Sequence, residues 1–269
     1  MIKLAFSTLG CPEWDFDRIV SQAHSYGFEG VEVRGIQNMM SPESLVPFDR
    51  EHCAESRRLL EKNSVRIICL NTSIRFQKRG EAERYALEAK ESFALCRRMG
   101  IPAIRVFGDT YDGQDPALVT RWIIEGIGAL CDMAGDIGIL LEIHGDIKTK
   151  EAIAPIVEAL KDRDNFGLIW DVGHSDHIYR ENWMEFYEYI RPYIHHVHLK
   201  DQIRALGKEG YVPVGEGEVP LVPIIRRLMA DGYNGYLSFE WEKRWHSELS
   251  EPEVVFPEYV KYCMDVLNG

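Results

Sequence analysis

The stretch Ile137-Gly138-Ile139-Leu140-Leu141-Glu142-Ile143-His144-Gly145-Asp146 reads as one short buried strand that ends in polar residues. A brief apolar run bounded by turn residues fits a strand covered on both faces. With a period of two, Glu142 shares a face with Leu140 and His144, so one face of this strand is polar at its end. The unit around it recurs along the chain as an amphipathic stretch, a glycine near its end, and a short apolar run. Tyr26 to Gly35 (YGFEGVEVRG), Met99 to Gly108 (MGIPAIRVFG) and Asp231 to Glu242 (DGYNGYLSFEWE) show it most clearly. Glycine after a helix supplies the left-handed backbone that stops it, and the chain turns at once into the next strand.

Working outward from that unit, eight strands are expected: Lys3 to Thr8, Gly30 to Arg34, Arg66 to Asn71, Ala103 to Gly108, Ile139 to His144, Phe166 to Asp171, Ile194 to Lys200 and Gly235 to Trp241. Strands alternating with helices at a spacing of about 30 residues imply parallel strands and right-handed crossovers. Eight units without a remaining edge close into a single (β/α)8 TIM barrel, expected to span residues 1–269 as one domain. The rival, an open doubly wound sheet, would carry a G-x-G-x-x-G after the first strand, and none is there.

Composition narrows the function classes. The net charge of −12 opposes binding to a phosphate backbone, so nucleic acid is not an expected partner. No apolar run approaches the roughly 20 residues that span a bilayer, and Met1 to Gly10 has no export pattern. Six cysteines, at 11, 53, 69, 96, 131 and 263, form no CxxC pair or zinc-ligand spacing and read as the reduced, mostly buried thiols of a cytoplasmic protein.

In a barrel of this kind the chemistry lies at the C-terminal strand ends. There the sequence places Glu142 and His144, Asp171 and His174, His198 and Lys200, and Glu240. Each has a plainer reading. Glu142 could pair with Arg105, Asp171 could cap a helix, and His196 could be a hydrogen-bonded core histidine. His195 points outward by parity. Glu32 and Arg105, on interior parity, are read as a buried ion pair, while Lys200, Glu242, Lys243 and Arg244 are read as solvated loop charges. Trp14 and Trp241 could stack on a sugar or simply pack. A ligand-type residue ending four consecutive strands is hard to explain by packing, and a metal accounts for it. Glu142, Asp171, His198 and Glu240 form an oxygen-rich set that suits Mn²⁺, Mg²⁺ or Co²⁺ better than Zn²⁺.

These residues resemble the xylose isomerase-like TIM barrel superfamily, which includes sugar isomerases and epimerases, inosose dehydratases and endonuclease IV. The resemblance rests on GFEGVEVRG (27–35), LEIHGD (141–146), WDVGH (170–174), HVHLKD (196–201), VGEGEV (214–219) and GYNGYLSFEWE (232–242). It implies that Glu142, Asp171, His198 and Glu240 hold one divalent metal, with Glu142 and Glu240 as catalytic acid and base. It further implies that His174 and Arg204 contact the substrate oxygen beside the reacting carbon. Beside that pair, His144 and Trp14 are expected to complete substrate binding. The implied activity is isomerisation or epimerisation of a sugar, sugar phosphate or small hydroxy-keto compound through an enediolate. The alternative is dehydration of an inosose-like or keto-polyol substrate, followed by a non-catalytic sugar binder or an endonuclease IV-like nuclease. The histidine-free stretch Gln202 to Glu218 and the acidic charge argue against the trinuclear zinc site of the nuclease branch. A small-molecule carbohydrate is the expected partner, and the resemblance also allows a homo-oligomer.

Overall fold

The structure is a computed structural model that describes residues 1–205 and 210–269. Its main strands are β1 (Lys3–Ser7), β2 (Gly30–Val33), β3 (Arg66–Arg75), β4 (Ala103–Phe107), β5 (Gly138–Glu142), β6 (Phe166–Asp171) and β7 (Ile194–Leu199). A short antiparallel pair, β8 (Asp201–Gln202) and β9 (Tyr211–Val212), precedes the last barrel strand, β10 (Tyr236–Phe239). The eight long strands close into a barrel in the order β1-β10-β7-β6-β5-β4-β3-β2. The helices that follow them in chain order are α1 (Phe16–Tyr26), α2 (Cys53–Asn63), α3 (Ala82–Met99), α4 (Pro116–Ala134) and α5 (Lys150–Leu160). They continue with α6 (Val172–Tyr179), α7 (Trp183–Ile190), α8 (Leu221–Ala230) and α9 (Pro252–Asn268). This is the (β/α)8 barrel expected from the repeated unit.

The glycine stops act as the sequence suggests. Gly27 ends α1 at φ 93° and Gly100 ends α3 at φ 72°, conformations that a side chain would strain. Strand ends differ from expectation chiefly at β3, which runs four residues past Asn71 to Arg75. A register shift against β4 between Asn71 and Arg75 marks an irregularity there, in a polar Asn71-Thr72-Ser73 stretch without the alternation that would announce a strand.

Two compact sets of residues make up the chain. In the first, Met1–Ile68 with His196–Gly269, β1 pairs with β2 and β10, and β10 with β7. Its core is aromatic. Phe239 stacks on Tyr259 of α9 at 4.5 Å, and Phe6 meets Phe256 of the same helix at 4.5 Å. Burying rings of this size dominates the local stability. In the second set, Cys69–His195, β4 pairs with β3 and β5, and β5 with β6. Aliphatic residues fill it, among them Ile104, Ile123, Ile127, Ile139 and Ile156, together with Trp170 packed on Tyr187 at 5.3 Å. Cys11, Cys69, Cys96, Cys131 and Cys263 are buried. Among the described residues no helix is long and apolar enough to cross a membrane.

Candidate active site

On β5, Glu142 is the last residue and lies opposite Phe107 of β4. Arg105 stands two residues before Phe107 and therefore on the same face. Its Nη1 reaches Glu142 Oε2 at 3.0 Å, and its guanidinium covers the Phe107 ring at 3.7 Å. Both charged side chains are almost wholly buried, 1% and 2% exposed, so each is held in the interior by the other's charge. The ion-pair reading of Glu142 is thus realised, whatever else Glu142 binds.

Asp171 ends β6 and at once caps α6, its Oδ1 accepting from the His174 backbone N–H at 2.9 Å. Its own backbone carbonyl accepts from Ser175 Oγ at 2.9 Å. The cap leads the helix away with His174 in its first turn, which sets His174 Nε2 3.8 Å from Asp171 Oδ2. His144, just after β5, meets the His174 ring edge-on at 4.3 Å and the Phe107 ring at 5.1 Å. His144 Nδ1 also lies 3.6 Å from Asp109 Oδ1. Asp109 is anchored in turn by Arg75 at 2.5 Å and by Gln77 Nε2, which donates at 3.2 Å. Burial pushes the Asp109 carboxyl up, but hydrogen bonding to His144 and the Arg75 charge outweigh it and hold the group below its ordinary range. Sequence reasoning did not find Asp109, which sits beyond β4 at φ 56°, outside any periodic pattern.

The other strand ends carry a second cluster. His198, on β7, lies opposite Ser238 of β10, and Glu240 follows two residues later on the same face. His198 Nδ1 is 3.4 Å from Glu240 Oε1, while its Nε2 is 3.0 Å from the Glu32 carboxylate on β2. His196 Nε2 reaches the same carboxylate at 3.1 Å. Glu32 and Arg105 therefore have separate partners, the two histidines for Glu32 and Glu142 for Arg105, in place of the ion pair expected between them. His195 is exposed, as parity requires.

Lys200 corrects the loop-charge reading. It is 1% exposed, with Nζ 2.6 Å from Glu240 Oε2 and 3.0 Å from Glu242 Oε1. Tyr211 of β9 covers its ammonium at 5.7 Å. The alternation that puts Glu240 and Glu242 on one face supplies two carboxylates to one ammonium, which permits its burial.

Electrostatics in this cluster are strongly coupled. Desolvation pushes Glu32 and Glu240 up, but the facing histidines, and Lys200 for Glu240, overcome it and hold both carboxyls well below their usual range. Burial lowers His198, yet Glu240 and Glu32 raise it well above an ordinary histidine.

The remaining expected contacts lie at the edges. Arg204 is half-buried, its backbone N–H and Nη2 both donating to Glu218, at 2.6 and 2.9 Å. Glu218 is placed by Asp201, whose carboxylate accepts from the backbone of Gln202, Gly215, Gly217 and Val219 at 2.9–3.1 Å. That explains the VGEGEV sequence, because a Cβ on Gly217 would come 2.1 Å from Asp201 Oδ1. Trp14 is buried, edge-on to Phe256 at 5.8 Å with Arg18 over its ring at 4.7 Å. Trp241 is equally buried, and its indole N–H donates to Ser250 O. Both rings are taken up by packing.

Two groups of buried residues have the donor types that a metal needs. One is Glu32, His196 and His198, and the other is Glu142, Asp171, His198 and Glu240.

A family model described as xylose isomerase-like TIM barrel matches residues 20–262. The chain belongs to this family. Among solved structures, a probable 3-DHS dehydratase AsbF involved in petrobactin synthesis from Bacillus anthracis is 18% identical. It superposes with a TM-score of 0.79 over 100% of this chain and 99% of its own. An IOLI protein with a binding zinc atom is 18% identical, with a TM-score of 0.77 over 99% of this chain and 96% of that one. A D-tagatose 3-epimerase-like protein is also 18% identical, with a TM-score of 0.74 over 99% and 98%. No curated protein matches the sequence. At these identities the structural likeness speaks to the fold, and the chemistry has to be argued from the residues.

Proposed function

We propose that this family member is a divalent-metal-dependent isomerase or epimerase of a small carbohydrate, working in the cytoplasm by proton transfer beside a carbonyl. Glu142, Asp171, His198 and Glu240 are the residues that would hold the ion. The donor set fits. All four are buried, where three carboxylates need strong compensation, and oxygen donors with one imidazole match Mn²⁺, Mg²⁺ or Co²⁺. When bound, the ion supplies Lewis acidity to adjacent substrate oxygens.

The single observation that carries the reading is the setting of Glu240. One oxygen faces His198 Nδ1 at 3.4 Å while the other is held by Lys200 at 2.6 Å. A carboxylate fixed at both oxygens, ionised and shielded from water, keeps a defined direction for accepting a proton. Glu142 is likewise held by a buried cation, with Arg105 Nη1 3.0 Å from its Oε2. Two such glutamates allow removal of a proton at one position and delivery at another, which is what epimerisation or aldose-ketose interconversion requires. His174 and Arg204 are assigned to the substrate oxygen that gains charge as the proton leaves, and His144 to the wall of the pocket. Trp14 keeps a packing role.

Solvent-deuterium exchange followed by NMR tests this reading, using the Mn²⁺-loaded protein and a panel of ketoses, keto-acids and inososes. Label entering a carbon beside the carbonyl, and lost with Glu240→Gln, is expected. A metal-loaded protein that exchanges none of the panel would overturn the reading.

A further inference from the structure

We propose that Glu32 is a positioning residue that fixes the proton of His198 on Nε2 and so presents Nδ1 as the metal-binding atom. This rests on the metal reading above and assigns a purpose to a carboxylate that the reaction itself does not use. Glu32 is fully buried on β2, as are His196 and His198 on β7. An ionised carboxylate only accepts hydrogen bonds, so an imidazole nitrogen 3.0 Å from it carries the hydrogen. The ring is planar with its two nitrogens on opposite flanks. Fixing Nε2–H against Glu32 therefore fixes both the tautomer and the rotation of the ring, with Nδ1 on the Glu240 side.

His196 makes the support rigid. Its Nε2 lies 3.1 Å from Glu32 Oε2, while His198 Nε2 lies 3.0 Å from both Glu32 oxygens and hydrogen-bonds Oε2, so two imidazoles converge on one carboxylate. The carboxylate cannot swing away without giving up its contacts with two buried rings. The buried histidine pair on β7 thus divides into one ligand and one brace. The rival is that Glu32, His196 and His198 bind an ion of their own. The geometry favours bracing, because His198 Nε2 makes a 3.0 Å hydrogen bond to Glu32 Oε2.

The test compares Mn²⁺ affinity, by equilibrium dialysis with EPR detection, in the native protein, Glu32→Gln and Glu32→Ala. Thermal unfolding serves to confirm that the variants fold. Loss of a partner that orients a ligating histidine is expected to weaken binding by about 10–100-fold. Glu32→Gln keeps the volume of the site, so it remains informative if Glu32→Ala does not fold. An independent readout is the long-range ¹⁵N–¹H spectrum of the histidines in the metal-free native protein, where His198 is expected to carry a hydrogen on Nε2 bonded to Glu32, whether or not Nδ1 also carries one. Native binding with unchanged affinity in both variants, a second ion that disappears with Glu32, or a His198 hydrogen confined to Nδ1 would each overturn the proposal. If the native protein binds no ion at all, the metal reading fails and takes the ligand-presenting role with it, while the spectrum still decides whether Glu32 holds the His198 proton.

Discussion

Arg105 Nη1 lies 3.0 Å from Glu142 Oε2, with both side chains shut away from solvent. Removing one member of such a pair strands the other charge in the interior. Arg105→Met is expected to destabilise the metal-free protein by about 3–5 kcal/mol, read from chemical denaturation. A variant with native stability would show that Glu142 is held by something other than this arginine.

Lys200 stands between Glu240 and Glu242, and its charge is one of the causes that hold Glu240 low. In Lys200→Met, the acidic limb of the exchange rate against pH is expected to move upward by about 1–3 pH units. An unmoved limb would remove Glu240 from the role of proton acceptor.

Gly145 adopts φ +60°, and a Cβ there would come 2.5 Å from the Asp109 carbonyl oxygen. Gly145→Ala therefore combines backbone strain with a collision against the turn that supports His144. A loss of about 1–3 kcal/mol is expected, seen as a lowered thermal midpoint. No change would mean that this turn relaxes without consequence.

The metal-free protein should have a stability maximum in mildly acid solution. Glu32 and Glu240 titrate lower when folded, so their contribution is complete above about pH 4.3 and is lost as pH falls through their folded values. His198 titrates higher when folded, so its contribution is complete below about pH 6.5 and is lost as pH rises through its folded value. Thermal midpoints measured from pH 3 to pH 9 on the order of one unit apart should fall on both sides of that window. A curve rising steadily to alkaline pH would contradict the charged state of His198.

Strand positions were legible in the sequence because burial imposes a period and glycine marks each helix end, as Gly27 and Gly100 confirm. The barrel followed from counting those units. What could not be read was pairing between strands distant in sequence. Glu32 lies 166 residues from His198, and only strand register brings them together. Lys200 looked like a loop charge because it follows the strand, and its burial depends on Glu240 and Glu242, which come just after β10. Asp109 was invisible for a different reason, since a left-handed loop residue belongs to no periodic pattern. Trp14, by contrast, carried two readings in sequence, and its contact with Phe256 commits the ring to packing.

The most direct test of the metal-dependent reading is an anomalous difference map from crystals of the protein soaked in Mn²⁺. One peak bonded to Glu142, Asp171, His198 and Glu240 is the expected result. No peak, or a peak bonded instead to Glu32 and His196, would contradict it.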